Sequence, residues 1–317
     1  MRFCRLRSFA YQIYYAIFKN LLDKYKMLWY NPIKKIKKEI FIVLKNTDGN
    51  NVFAKIPFGV IQASNKINQY LLPTYLYLAV NKNIFGEVKT SIRSIREEYI
   101  NTVNRTYWHE DEFYEALIVL TSNIIDEENN SIIDNLIDIK NLEHLSQMEL
   151  QYNSSKNSNA SLDFETQIKS LIKEFDAEID YSLKKKDIII SINSFQTGKG
   201  FVKCSYQEYN LFRNFQSFLK KNNSRISICQ AVNAYYTVKF IIKRNEALIN
   251  LGLAKKNCSD QVSKSLFKKE CCFADNTAKC VLQILKSMNL IEVVNNPKKE
   301  NDYYIKLNKN INESEIQ

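Results

Sequence analysis

Between Asn276 and Lys286 the chain spaces side chains that can hydrogen-bond nucleic acid: Asn276, Thr277, Lys279, Gln283 and Lys286. An amide offers the paired donor and acceptor that a base edge presents, and an ammonium neutralises phosphate. Interleaved with them, Ala278, Val281, Leu282, Leu285 and Met288 recur at helical spacing, so the segment reads as an amphipathic helix with its polar groups outward. Asp275 stands where a cap is needed. Upstream, Ser259 to Lys269 carries Val262, Leu266 and Phe267 on one face with Ser259 as the expected N-cap, and Cys271-Cys272-Phe273 supplies an apolar turn. Downstream, the β-prone segments Leu290 to Val294 and Tyr303 to Leu307 flank a loop in which Lys298 and Lys299 are placed to meet phosphates.

Helix, turn, helix and hairpin in this order outline a winged helix, whose second helix enters the major groove. A helix pair with a hairpin also carries solvated Lys in protein-docking modules, and that reading stands beside the DNA one. Elsewhere the pattern is similar. Glu39 to Leu44 and Val52 to Ile56 are β-prone around Thr47-Asp48-Gly49-Asn50, a hairpin turn signal. Apolar periodicity then predicts helices around Tyr70 to Val80, Ile92 to Ile100 and Glu112 to Ile125, with residues 132–139 as a wing strand or another short element. Arg93 and Arg96 are expected to face outward. The third of these helices opens on His109-Glu110-Asp111-Glu112, whose carboxylates repel a phosphate backbone, so this half is expected to meet protein rather than DNA.

Residues 151–162 are rich in Ser and Asn and have little to bury, which marks an interdomain linker. An acidic helix over about 163–183 should precede a hairpin of Asp187 to Ile192 with Gly200 to Cys204. Ser205-Tyr-Gln-Glu208 is a capping box for a helix over 206–220, followed by another over 225–250. The second half therefore repeats the first in outline. The expected architecture is α+β and mainly helical: a basic segment 1–38, a winged-helix-like domain 39–150, the linker 151–162, a second such domain 163–310 and a tail 311–317, each domain with a small β-hairpin.

At 317 residues, 45% hydrophobic and 25% charged, the chain can bury a core in two domains. Its net charge of +11 points to an anionic partner, although frequent Lys, Asn and Ile suit an AT-rich coding sequence, which accounts for part of the basicity. The distribution says more. Residues 1–40 carry a net +8, residues 110–180 a net −13 and residues 255–309 a net +5. Seven Cys without a Cys-x-x-Cys pair read as reduced cysteine of a cytoplasmic protein, and two His, His109 and His144, lie outside zinc spacing, so no cofactor or metal is expected.

Enzymatic readings fare poorly. The chain has no His-hydrophobic-His cluster of the kind a rolling-circle nickase places beside its Tyr, and its two His lack the company a tyrosine recombinase requires. Thr197-Gly198-Lys199-Gly200 lacks the full phosphate-loop pattern and reads as a turn. The acidic residues at 110–115 and 126–128 match no ligand loop. No apolar run reaches bilayer length, so a membrane partner is not expected. Phe9 to Phe18 lacks the cleavage site of a signal peptide, and Met27 is an alternative start. The N-terminal segment, with Lys34, Lys35, Lys37 and Lys38 after an aromatic stretch, fits a DNA arm, a membrane-surface element or a packed helix equally.

Phe53-Ala-Lys-Ile-Pro-Phe-Gly-Val-Ile, Leu71-Leu-Pro-Thr-Tyr-Leu-Tyr-Leu and Thr90-Ser-Ile-Arg-Ser-Ile resemble the N-terminal winged helix of replication initiators and replisome organisers of low-GC bacterial plasmids and phages. The resemblance spans residues 52–125 and the two-domain outline. It implies tandem winged helices binding double-stranded DNA repeats at an origin, contact with replication proteins, and a homodimer through the first domain. A transcriptional regulator with the same DNA contacts and a non-catalytic interaction scaffold are the alternatives.

Overall fold

The computed structural model describes residues 54–83, 85–99, 110–126, 131–140, 142, 147, 149–152, 166–168, 170, 188–194, 200–215, 218–219, 226–253, 260–296 and 302–308. All of them belong to one compact unit, 53–317. The basic segment 1–38, the turn at 47–50 and most of the expected acidic helix lie outside the described residues. The fold is α+β, dominated by helices, with four small sheets among the described residues.

Strand β1 (Ala54–Pro57) leads into α1 (Phe58–Lys66) and α2 (Leu71–Asn81). Then come β2 (Glu87–Thr90), α3 (Ile92–Tyr99), α4 (Glu110–Thr121) and the short strands β3 (Asn123–Asp126), β4 (Ser131–Ile133), β5 (Ile137–Ile139) and β6 (Glu149–Tyr152). Strands β7 (Ile188–Ile192) and β8 (Phe201–Cys204) precede α5 (Tyr206–Arg213) and the long α6 (Ile228–Asn250). The C-terminal part holds β9 (Val262–Ser263), α7 (Lys264–Cys271), α8 (Asp275–Ser287), β10 (Ile291–Asn295) and β11 (Tyr303–Leu307).

The expected hairpin of 187–192 with 200–204 does not form. Instead β7 pairs antiparallel with β2 and with β5, and β8 pairs antiparallel with β1. Both pairings cross the segment 151–162, whose first two residues belong to β6 and whose remainder lies outside the described residues. Strand alternation shows that a segment can lie in a sheet but not which distant edge it meets, and here non-local partners win.

Those pairings expose a repeat sharper than the sequence outline. The series α2, β2, α3, α4, β5, β7 builds a three-stranded sheet in the order β2-β7-β5. The series α6, β9, α7, α8, β10, β11 builds one in the order β10-β11-β9. In both, the order is helix, strand, two helices, two strands, and the last strand lies between the other two. The first copy differs by an added sheet: β3 and β4, between α4 and β5, pair antiparallel with each other, and β6, between β5 and β7, pairs parallel with β3.

Helix α6 joins the two copies. A capping box at Ser227 and Gln230 starts it, with each side chain bonded to the other residue's backbone N–H. From Ile228 to Ile242 nearly every residue is buried, so the helix is surrounded rather than amphipathic. It packs on α1 and α2 and also on α7 and α8. Its inward Asn233 and Thr237 find partners: Ser64 Oγ donates to Asn233 Oδ1 at 2.9 Å, Asn233 Nδ2 to the Gln69 carbonyl at 3.1 Å, and Asn65 Nδ2 to Thr237 Oγ1 at 2.8 Å. Beside it, Gly59 of α1 lies so close to β4 that a Cβ would stand 2.1 Å from the Ile132 carbonyl oxygen.

Glu208 ties α5 to α6. Its carboxylate is fully buried, accepts from the Ser205 N–H at 2.8 Å in the expected capping box, and accepts from the Tyr235 hydroxyl. Lys239 Nζ supplies the counter-charge at 2.6 Å and donates to the Lys203 carbonyl at 2.7 Å. Removing one partner of such a pair leaves an uncompensated buried charge, which outweighs the worth of the pair itself. Lys239→Met should therefore lower the unfolding free energy by about 3 kcal/mol. The Glu208→Gln/Lys239→Met double variant should recover part of that loss. Denaturant titration measures both, and a single-variant loss below about 1 kcal/mol would contradict the buried-pair account.

Candidate nucleic-acid interface

Helix α7 starts at Lys264 rather than near Ser259, because Val262 and Ser263 are drawn into β9, opposite Ile305 and Tyr304 of β11. Ser263 is the N-cap, its Oγ accepting from the Leu266 N–H at 3.4 Å. Buried Val262 and Phe267 form the inner face, with Leu266 packed against the core. The turn after α7 is set by Cys272 in the left-handed region, φ +56°, while Cys271 is buried and Phe273 stacks edge-on to Phe267 at 6.1 Å.

Helix α8 begins at Asp275, with Ala274 in the cap position, so Asp275 does not cap it. Its carboxylate instead receives Lys268 at 2.7 Å, clamping the end of α7 to the start of α8. That donated bond, with the surrounding ammonium groups, holds the carboxyl below the usual carboxylate range. Ala278, Val281, Leu282, Ile284 and Leu285 are buried against the core, followed by Met288.

The opposite side of α8 is open. Asn276, Lys279, Cys280, Gln283, Lys286 and Ser287 are all exposed, at successive three- and four-residue steps that keep them on one stripe. Of the five residues expected on this helix the structure places four in the stripe; Thr277 is half-buried at its margin. Cys280 and Ser287 were not among the expected residues, although the spacing from Asn276 through Gln283 already selects them. Lys298 and Lys299 lie outside the described residues; the strands that flank them pair in register from Ile291 opposite Leu307 to Asn295 opposite Tyr303.

Charge compensation is uneven around this face. Lys268 is held by Asp275, Lys306 by Asp260 at 3.2 Å and Arg244 by Glu270 at 3.2 Å, while Lys264 lies 5.4 Å over the Tyr303 ring. Lys269, Lys279 and Lys286 are exposed and have no carboxylate within ion-pair distance among the described residues. The surface of α7 and α8 therefore keeps uncompensated positive charge beside neutral amides, the chemistry that suits a polyanion with readable edges.

The corresponding helix of the first copy presents nothing comparable. In α4, Phe113, Tyr114 and every residue from Ala116 to Thr121 are buried, leaving Glu112 and Glu115 half-buried at its start. Burial, more than the carboxylates, removes this helix from any groove. In α3, Arg93 faces solvent and pairs with Glu97 at 2.8 Å, but Arg96 is only 8% exposed, correcting the expectation that both arginines face outward. A strand rather than a helix follows Gly200, so no helix N-terminus stands directly after it as a phosphate loop would require. Among the described residues no group of three or more His, Cys, Asp or Glu could hold a metal, and no helix is long and apolar enough to cross a membrane.

No protein-family model, curated protein or solved structure matches the chain.

The cysteines give a direct check on this surface. Burial pushes the Cys229 and Cys271 thiols up, whereas Cys272 and Cys280 are exposed. Brief alkylation of the native protein should label Cys272 and Cys280 and spare Cys229 and Cys271 until denaturant is added, as read by peptide mass mapping. Rapid labelling of Cys271 in the native state would contradict the packing of α7.

Proposed function

We propose that this chain is a non-catalytic, sequence-specific DNA-binding protein made of two winged-helix-like motifs, in which the second motif reads double-stranded DNA through α8. The observation that carries the reading is the stripe Asn276, Lys279, Gln283 and Lys286, exposed on a helix whose other side is core, next to Lys ammonium groups without carboxylate partners. Supporting it, the helices α7 and α8 followed by the antiparallel pair of β10 and β11 agree with the winged-helix outline expected from the sequence, in which Lys298 and Lys299 fall between the two strands. The last helix of such a motif, here α8, is the one that lies in the major groove, and the wing meets the adjacent backbone.

Action at a plasmid or phage origin, with replication proteins as further partners, is the reading favoured by the resemblance over 52–125 together with the duplicated motif. The first motif, with its third helix buried, is assigned to protein contact, including a homodimer. A transcriptional regulator would use the same DNA contacts; binding sites repeated beside the encoding gene support the origin role, and a promoter-only site supports regulation.

In a gel-shift series, Lys279→Ala, Lys286→Ala, Lys298→Ala and Lys299→Ala should each weaken binding to duplex DNA. Each should also reduce the slope of log affinity against log salt by about one for every phosphate left without its ammonium. Absence of any duplex affinity at low salt would overturn the DNA-binding reading and leave protein docking in its place. Alkylation offers an independent handle. A bulky maleimide on Cys280 stands within the stripe, so it should abolish binding in the native protein but not in Cys280→Ser. Binding that survives full modification at Cys280 would place the DNA elsewhere.

A further inference from the structure

We infer that α8 reads adenine at two positions of one groove, through Asn276 and Gln283, an inference that rests on the DNA-binding reading above. Both side chains are exposed, and neither makes a hydrogen bond within the protein among the described residues. An Asn or Gln amide matches adenine in the major groove, its carbonyl accepting from the N6 amino group while its NH2 donates to N7. Other bases present no such adjacent donor and acceptor on one purine edge.

Their spacing fits two such contacts at once. Seven residues are close to two helical turns, so the two amides leave the same side of α8, about 10 Å apart along its axis. At about 3.4 Å per base-pair step, a helix lying along the groove brings them to bases two to three pairs apart. The intervening stripe residues do not compete for this role. Lys279 only donates and suits guanine or phosphate, and Cys280 is a short side chain with a weak donor. Carboxylates, which would select cytosine by accepting from its amino group, are absent from the stripe; Asp275, at the start of the helix, is already held by Lys268.

The test is selection of bound sites by the full-length protein from a pool of randomised duplexes, repeated with Asn276→Ala and Gln283→Ala. The expected site contains two adenines, on either strand, two to three pairs apart. Each variant should lose the preference at one of these positions, from roughly ten-fold or more to near none, and keep the preference at the other. The slope of log affinity against log salt should be the same for the variants as for the native protein, because that slope counts ammonium contacts with phosphate and neither amide carries charge. A selected site without such an adenine pair, or variants that retain both preferences while binding DNA, would overturn the inference and leave the DNA-binding reading intact. Failure of the native protein to bind any duplex would overturn both.

Discussion

Helix α6 is buried on nearly every side through its first four turns, and its apolar residues from Ile228 to Ile242 leave no face suited to a surface. It must be enclosed, and the enclosing elements come from both halves of the chain: α1 and α2 on one side, α7 and α8 on the other. Its few inward polar atoms fix the register of that enclosure. Asn233 and Thr237 each find a partner on or next to α1, and an unpaired amide at either depth would cost more than the bond contributes. The outward stripe of α8 is thus held by a core that extends into the first motif. Shifting α8 would disturb side chains packed on α6, which is why its exposed residues can be treated as a fixed array rather than as loose surface groups.

The two copies of the motif show how one topology takes two roles. Both place a helix between a preceding helix and a pair of strands. In α8 the apolar residues occupy one side, because Lys279, Cys280, Gln283, Lys286 and Ser287 interrupt them at helical intervals. In α4 the run Ala116-Leu-Ile-Val-Leu120 has no interruption, so no side is left for solvent. The added sheet of β3, β4 and β6, inserted on either side of β5, belongs to the same copy. Strand β4 lies directly on α1, close enough at Gly59 and Ile132 to leave no room for a methyl group.

Local chemistry is legible in the sequence, and distant pairing is not. The capping box at Ser205 and Glu208, the amphipathic period of α8 and the strands around 291–307 are set by residues within a few positions of one another, and the structure has them as expected. Ser263 displaces Ser259 as the cap of α7 because both fit the local pattern, and the choice is made by β11, which recruits Val262 into its sheet. A hairpin of 187–204 is the plausible local solution, yet β7 pairs with β2 and β5 and β8 pairs with β1, all far from the 187–204 segment in sequence. Arg96 follows the same logic: helical period alone does not reveal that its side of α3 is covered. At the interface, residue types and spacing locate the stripe, while the ion pairs that separate Lys268 from Lys269 are visible only in three dimensions.

The burial of α4 bears on stoichiometry. A protein with an internal repeat is often pictured as a two-handed grip, each copy meeting an equivalent half of its target. Here the duplication is of architecture alone: among the described residues of the two helices, α8 has an exposed polar stripe and α4 has none. A ligand that engages α8 finds no equivalent face on α4 among the described residues. Any two-fold symmetry in such a ligand would have to be matched by two molecules, with the distance between its halves set by how those molecules meet and not by the span between α4 and α8.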